Sequence, residues 1–493
     1  MATPDDADRR TPSSRSSSPS TPPTPESSAD PSAATPGDRT PGRMPGALAW
    51  IAAVAASVVI CLVLGMRLTD GDSCVYGALA HDMAAGSWRA WVAPQWAFDG
   101  RWTCFHEHPP GAMWPAALVE MAGADPLAAP LVANVLWQFA ALAGVLALAR
   151  PFVGRNAAWI AGAAFLLSIP ALRYADRFAL EFPIAAAAAW TIAAALRLGR
   201  SPWWTPALGV ALAAAFLVRG AFAGVPLVLL GVLVCEPSLR PPPLRLLGGL
   251  AIAAALVLGF DLLHAAATGH AFWTAYLDRQ VFPSLEPGGT AHSIDGHPWG
   301  YVLSRFATYA LPWVLVPIAR LVRGPRPPTS PAAWRVAAVW IALTLAAAIA
   351  TTRPASRYLF GMLPALAVLA ALGVGPGAPP RLTRWAAVLA LLAIPVTSAL
   401  KEWTGERRTP WETAGLLDTF RASDLRPREV RGPFAPREDG HAAILRFHLG
   451  VPVLPDGPDA PPDARRWVPA GSPPLPGARV LVATPLGSLV EPR

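Results

Sequence analysis

Apolar stretches of membrane-spanning length recur through most of this chain, and arginines gather in alternate gaps between them. The first stretch, residues 47–66, is long enough to cross a hydrocarbon core of about 30 Å at about 1.5 Å per helical residue. Further stretches at 127–149, 156–172, 179–197, 206–218, 221–235, 244–267, 300–320, 333–351, 357–375 and 384–400 bring the expected spans to eleven, in a range of 11–13. Arg150 and Arg155, Arg197 and Arg200, Arg240 and Arg245, Arg320 with Arg323 and Arg326, and Arg381 with Arg384 mark successive cytoplasmic turns. An odd number of spans places the amino terminus in the cytoplasm and the carboxyl terminus outside. The expected fold class is an all-α polytopic membrane bundle.

Composition agrees with that reading. A hydrophobic share of 53% against 15% charged residues argues for an integral membrane protein over several soluble domains. The net charge of +8 lies mostly in the gaps between apolar runs, as an orientation signal does, so it does not indicate nucleic-acid binding. Lys401 is the only lysine, so positions that other proteins fill with lysine are open to arginine here.

Residues 1–45, rich in Pro, Ser and Thr, have too little apolar surface to offset ordering entropy and are expected to be a disordered cytoplasmic tail without a cleaved signal. Residues 46–400 form the membrane domain, and 401–493, poorer in apolar residues, form a small external region with a helix near 441–449 and a strand near 477–484. The piece 112–122 would break the arginine alternation as a span, so it is expected to be a short interfacial or re-entrant helix.

The interruptions on the external face are 67–111, 173–181, 219–220, 268–299 and 351–357. They collect Asp70, Asp72, Glu107, His108, Arg177, Glu181, Arg219, Asp278, Arg279, His292, Asp295, His297, Arg353 and Arg357 on one side of the membrane. Loops attract polar residues anyway, but Glu181 and Arg219 lie at or inside apolar runs. A charge there costs a few kcal/mol unless paired or solvated, which marks a functional place. Cys61 and Cys235 read as buried apolar residues. Cys74 and Cys104 share the first external loop, where a disulfide closing about 30 residues would contribute roughly 3–4 kcal/mol. Metal-ligand spacing of the CxxC type is absent; His106, Glu107 and His108 with His292 and His297 offer a weaker metal-binding set.

Five separated features resemble the GT-C glycosyltransferases of the polyprenyl-phosphate type, which include protein O-mannosyltransferases, the aminoarabinose transferase of lipid A and RgtA/B/C/D-like enzymes. They are Asp72 and Tyr76 followed by Gly86 and Trp88; Glu107-His108-Pro109-Pro110; Arg177 with Glu181; Arg219-Gly220; and His297-Pro298-Trp299-Gly300-Tyr301 with Leu311-Pro312-Trp313 and Ser356-Arg357-Tyr358. His108 stands where the family usually has lysine, and Glu181 where it usually has aspartate.

The resemblance implies a GT-C bundle with a large first external loop, 67–111, carrying interfacial helices. It implies transfer of a sugar from a lipid-linked donor to an envelope acceptor, a protein, glycolipid or polysaccharide, outside the bacterial plasma membrane. Such a reaction needs a carboxylate to take the acceptor's proton, for which Asp72 and then Glu107 are candidates. It also needs fixed positive charge for the departing phosphate, for which Arg219 and Arg357 are candidates, with His108 as a pH-dependent donor. Tyr76, Arg177, Glu181, His297 and Tyr358 complete the expected substrate-binding set. No cofactor is demanded beyond the lipid-linked donor as substrate, although a divalent ion between Asp72 and Glu107 is chemically reasonable. Plainer roles stand beside these: Asp72 as a helix cap, Glu107 paired with Arg101, Arg219 as the ion-pair partner of Glu181, and Arg357 as an interface anchor. A transporter or flippase of a lipid-linked or anionic solute is the competing activity; it would spread polar residues across the midplane.

Overall fold

The computed structural model describes residues 47–63, 68, 70–96, 104–285, 298–322, 330–351, 355–404 and, nearer the carboxyl end, 430–432, 446–448, 453–455, 465–469, 472–473, 477–484 and 487–491. The amino-terminal tail lies outside the described residues, as do Arg101, His292, Asp295, His297 and Arg353. The helices in chain order are α1 (Ala47–Val63), α2 (Gly71–Ala85), α3 (Trp88–Val92), α4 (Trp114–Met121), α5 (Ala129–Leu166), α6 (Ile169–Tyr174), α7 (Glu181–Ala195), α8 (Trp204–Arg219), α9 (Gly224–Cys235), α10 (Pro243–Thr268), α11 (Phe272–Tyr276), α12 (Phe282–Leu285), α13 (Pro298–Ala310), α14 (Leu315–Val322), α15 (Pro331–Ala350), α16 (Leu363–Val374) and α17 (Pro380–Thr404).

Six helical stretches among the described residues are long and apolar enough to cross a membrane, or seven if the bent pair Trp299–Ala310 and Leu315–Val322 is one span. The protein is a multi-pass membrane protein, and the gap from the expected eleven has a physical origin. The 38 residues of α5 include Gly154 at φ 80°, ψ 170°, which no helix contains. Beyond it the chain folds back, so that Gly162 packs against Leu142 and Leu146. Trp204–Cys235 likewise reads as a single 32-residue stretch but reverses at Gly220, where φ is 55°. Val225 and Pro226 line a cavity with Ile184 and Ala188 near the start of α7, whereas Leu233 lies beside Ile192 and Leu196 near its end. Therefore α9 runs parallel to α7 while α8 runs against it. The apolar helices Ala47–Ile60 and Glu181–Ala195 are too short to count by length alone. The piece after Pro110 becomes a 3-10 turn and the eight-residue α4, too short to cross.

The bundle has two chemically distinct ends. At one, Arg197 donates to Ala193 O at 2.6 Å and lies over the Trp204 ring at 5.3 Å, and Arg335 pairs with Glu236 at 2.8 Å. Helices that start there, α8, α10, α15 and α17, deliver their other ends to the opposite side. At that side Lys401 of α17 meets Asp176 at 2.7 Å, and Glu181 meets Arg219. The sequence's alternation of arginine turns is visible in this division.

The region after α17 departs from the all-α expectation. It carries a mixed five-stranded sheet of β1 (Val430–Gly432), β2 (Val453–Pro455), β3 (Arg465–Pro469), β4 (Arg479–Thr484) and β5 (Gly487–Glu491), in the order β2-β1-β3-β5-β4. The expected strand at 477–484 is β4; near 441–449 only residues 446–448 are described as helical. This region packs on the first loop. Arg446 pairs with Asp82, His448 Nε2 lies 2.8 Å from Leu68 O, and the Phe447 ring occupies the space that a Cβ on Gly77 would need. Cys235, expected to be buried, ends α9 exposed.

Candidate functional site

The first loop enters the site through the start of α2. Asp70 is the N-cap, its carboxylate accepting from Ser73 N at 3.0 Å. That satisfies a backbone donor the helix would otherwise leave open. The cap is therefore Asp70, not Asp72, which sits in the first turn with its side chain about half exposed and forms an ion pair with Arg357. Burial raises the Asp70 carboxyl above its ordinary range, opposed by the Ser73 hydrogen bond and the charge of Arg177.

The expected bridge between Cys74 and Cys104 is not formed. Cys74 donates to Leu68 O at 3.4 Å inside the main core, whereas Cys104 pairs through its backbone with Gln95 and packs in a second cluster with Leu217 and Phe272. The two thiols thus belong to different parts of the interior.

Three consecutive residues of the loop do three different things. His106 is buried, with Nδ1 2.8 Å from Cys104 O. Glu107 accepts from Arg279 at 3.1 Å. His108 is held neutral: burial, and then the charges of Arg219 and Arg357, push it well below the usual imidazole range. Its buried Nδ1 has no hydrogen-bond partner among the described residues, and its ring lies 6.4 Å from that of Tyr76. Tyr76 is buried too, and burial followed by the charge of Asp72 raises its hydroxyl well above the ordinary value.

The membrane helices supply the rest. Glu181 begins α7 and Arg219 ends α8, so each charge sits at the favourable pole of its helix dipole. They pair at 3.5 Å with both side chains 3% exposed. The Arg219 guanidinium also covers Phe222 at 4.8 Å and Tyr358 at 5.4 Å, while its Nε is buried without a partner among the described residues. Two desolvated charges persist in such a place only when paired, and this pair is. Gly220 is required immediately afterwards: its φ is positive, and an added Cβ would lie 2.5 Å from the Tyr276 hydroxyl. Arg357 and Tyr358 come from the 3-10 segment Ser356–Met362.

Asp72, Tyr76, Glu107, His108, Glu181, Arg219, Arg357 and Tyr358 thus converge at one end of the bundle. Arg177 flanks them, its guanidinium over the Tyr174 ring at 5.6 Å. His297 lies outside the described residues. The sequence placed Arg279 on this face without its partner, and it did not single out Tyr276. Arg279 holds Glu107, whose expected partner Arg101 lies outside the described residues, and Tyr276 accepts from Ala221 N at 3.0 Å from the opposite side of the Gly220 reversal. The aromatic run of α11 was the available signal for Tyr276, whereas a 172-residue separation hid the Glu107–Arg279 pair.

No protein-family model matches the sequence, and no curated protein resembles it significantly. Solved structures do resemble it in fold. ArnT from Cupriavidus metallidurans bound to undecaprenyl phosphate superposes with a TM-score of 0.66 at 17% identity, covering 90% of this chain and 98% of that one. The apo state of that protein gives a TM-score of 0.67 with the same identity and coverage. The chain therefore shares the fold of that ArnT over most of its length.

Proposed function

We propose that this protein is a membrane glycosyltransferase that moves a sugar from a polyprenyl-phosphate donor to a hydroxyl of an envelope glycolipid, polysaccharide or protein. The reaction takes place on the extracytoplasmic face of the bacterial plasma membrane, with the amino terminus inside and the carboxyl terminus outside. The observation that carries this reading is the direct pairing of Asp72, from the first loop, with Arg357, from the membrane bundle, beside the buried Glu181–Arg219 pair.

In this reaction the acceptor oxygen bonds to the anomeric carbon as the bond from that carbon to the phosphate oxygen breaks. The acceptor's proton passes to the Asp72 carboxylate, and the electron pair leaves with the polyprenyl phosphate. Arg357 and Arg219 neutralise the charge that collects on the phosphate, guanidinium being suited because it stays charged and offers several donors in one plane. The neutral imidazole of His108 adds a hydrogen bond without adding charge. Glu107, held by Arg279, lines the acceptor side.

Purified protein incubated with polyprenyl-phosphate sugar and envelope acceptors tests this. Transfer is expected with the wild type and lost in Asp72→Asn at unchanged melting temperature. Full transfer by Asp72→Asn overturns the base assignment, and no transfer to any envelope acceptor overturns the activity. Clustering at one end favours this reading over a transport pathway, which would carry its polar groups through the midplane.

A further inference from the structure

Three histidines from separate stretches meet beside the first loop. His106 precedes α4, His264 lies near the end of α10, and His270 follows the left-handed Gly269 that caps it. One ring nitrogen of each is within 4.8 Å of one from each of the others. His106 and His264 are buried. Phe272 stacks on His106 at 5.6 Å and Phe260 lies 6.3 Å from His264, so apolar rings wall the cluster.

The hydrogen bonds decide which nitrogens face inward. His106 Nδ1 is 2.8 Å from Cys104 O, His264 Nδ1 is 3.1 Å from His270 O, and His270 Nδ1 is 3.3 Å from Thr268 O. A carbonyl only accepts, so in the neutral rings each Nδ1 carries the hydrogen and each Nε2 keeps a lone pair. His106 Nε2 and His270 Nε2 then face each other at 3.3 Å, and His264 Nε2 is buried with no hydrogen-bond partner among the described residues. A cation set among the three Nε2 atoms would draw on lone pairs placed in this way. Tetrahedral zinc with bonds of about 2.0–2.1 Å holds its ligand nitrogens about 3.3–3.4 Å apart, matching the His106–His270 spacing. Backbone carbonyls on the far nitrogens are the outer shell that fixes the tautomer of metal-bound histidines.

We propose that His106, His264 and His270 bind one divalent transition metal, zinc by the chemistry of its donors, through their Nε2 atoms. Three imidazoles without a carboxylate suit zinc and its neighbours and do not suit magnesium or calcium. The metal pins the loop at His106 to the end of α10. Glu107 and His108 follow His106 directly, so the metal also fixes the backbone that carries them. Its binding is read without any transfer assay and so stands apart from the activity proposed above.

The test uses full-length protein in detergent, purified without chelator and without a polyhistidine tag. Elemental analysis is expected to find one zinc per chain, and cobalt exchange to give the visible bands of four-coordinate cobalt; His264→Ala and His270→Ala lose both signals. Because an unfolded variant would lose metal too, melting temperature is measured with and without added zinc. A rise in the stripped wild type that is absent in the folded variants supports the site. Wild type that neither holds zinc nor responds to it, or variants that match it in content and response, overturn the proposal.

Discussion

Two acid–arginine pairs lie at the same end of this bundle, and they differ in nearly everything but their chemistry. Glu181 and Arg219 are 3% exposed and lie at helix ends inside apolar surroundings. Asp72 and Arg357 are 52% and 37% exposed and join the first loop to the bundle. A buried pair cannot be broken without stranding a desolvated charge, whereas an exposed pair holds by little and yields to a better partner. The first is therefore a fixture and the second, in the proposed reaction, a contact that a phosphate arriving at Arg357 would open to release the Asp72 carboxylate for the acceptor.

The largest expected effect tests the exposed pair. Asp72→Asn should lower the transfer rate by about 10²–10⁴-fold, the span of a general base, with thermal unfolding near wild type; a large drop in melting temperature would make the pair structural and erase the contrast. Next, Arg219→Leu should cost about 3–5 kcal/mol in unfolding measurements by leaving Glu181 unpaired, and adding Glu181→Leu should recover most of it. Failure of that recovery would show that Arg219 acts chiefly through its aromatic neighbours Phe222 and Tyr358. A smaller effect is expected of Arg357→Lys, which keeps the charge but loses the planar fork: about tenfold more donor at half-saturation, about 1.4 kcal/mol.

The smallest effect concerns Asp70, two residues from Asp72 and its opposite in role. Asparagine caps helices as well as aspartate, so Asp70→Asn should unfold within about 0.5 kcal/mol of wild type, while Asp70→Ala should lose about 1 kcal/mol. The pH dependence has a definite sign. The folded carboxyl is raised, so its favourable contribution is complete below the unfolded carboxylate value of about 3.9 and is lost as pH rises through the folded one. Asp70→Asn should therefore gain on wild type as pH rises from 4 toward neutrality, in melting temperatures taken across that range; parallel profiles would contradict the burial of Asp70.

Much of this contrast was legible in the sequence. Glu181 and Arg219 interrupt apolar runs, and lipid-facing physics alone flags them and suggests each as the other's partner. The two-ended bundle follows from the arginine spacing. What stayed hidden depended on three-dimensional detail. Both Asp70 and Asp72 can cap α2, and only the Ser73 hydrogen bond tells them apart. The sheet rests on strands as short as three residues in a proline-rich stretch, where no alternation can accumulate. His264 looks like part of an apolar helix until His106 is brought to it from 158 positions earlier, a separation no local pattern reports.

The glycine that closes the first loop joins that loop to the membrane helices. A Cβ on Gly111 would stand 2.6 Å from Leu217 O, so the Pro-Pro-Gly turn rests backbone against backbone on α8, two residues before Arg219. His108 lies three residues to the other side of that contact. It works as a machinist's datum: the loop that carries His108 and the helix that ends in Arg219 are gauged from one touching point, and a single added methyl group would shift that reference for both at once.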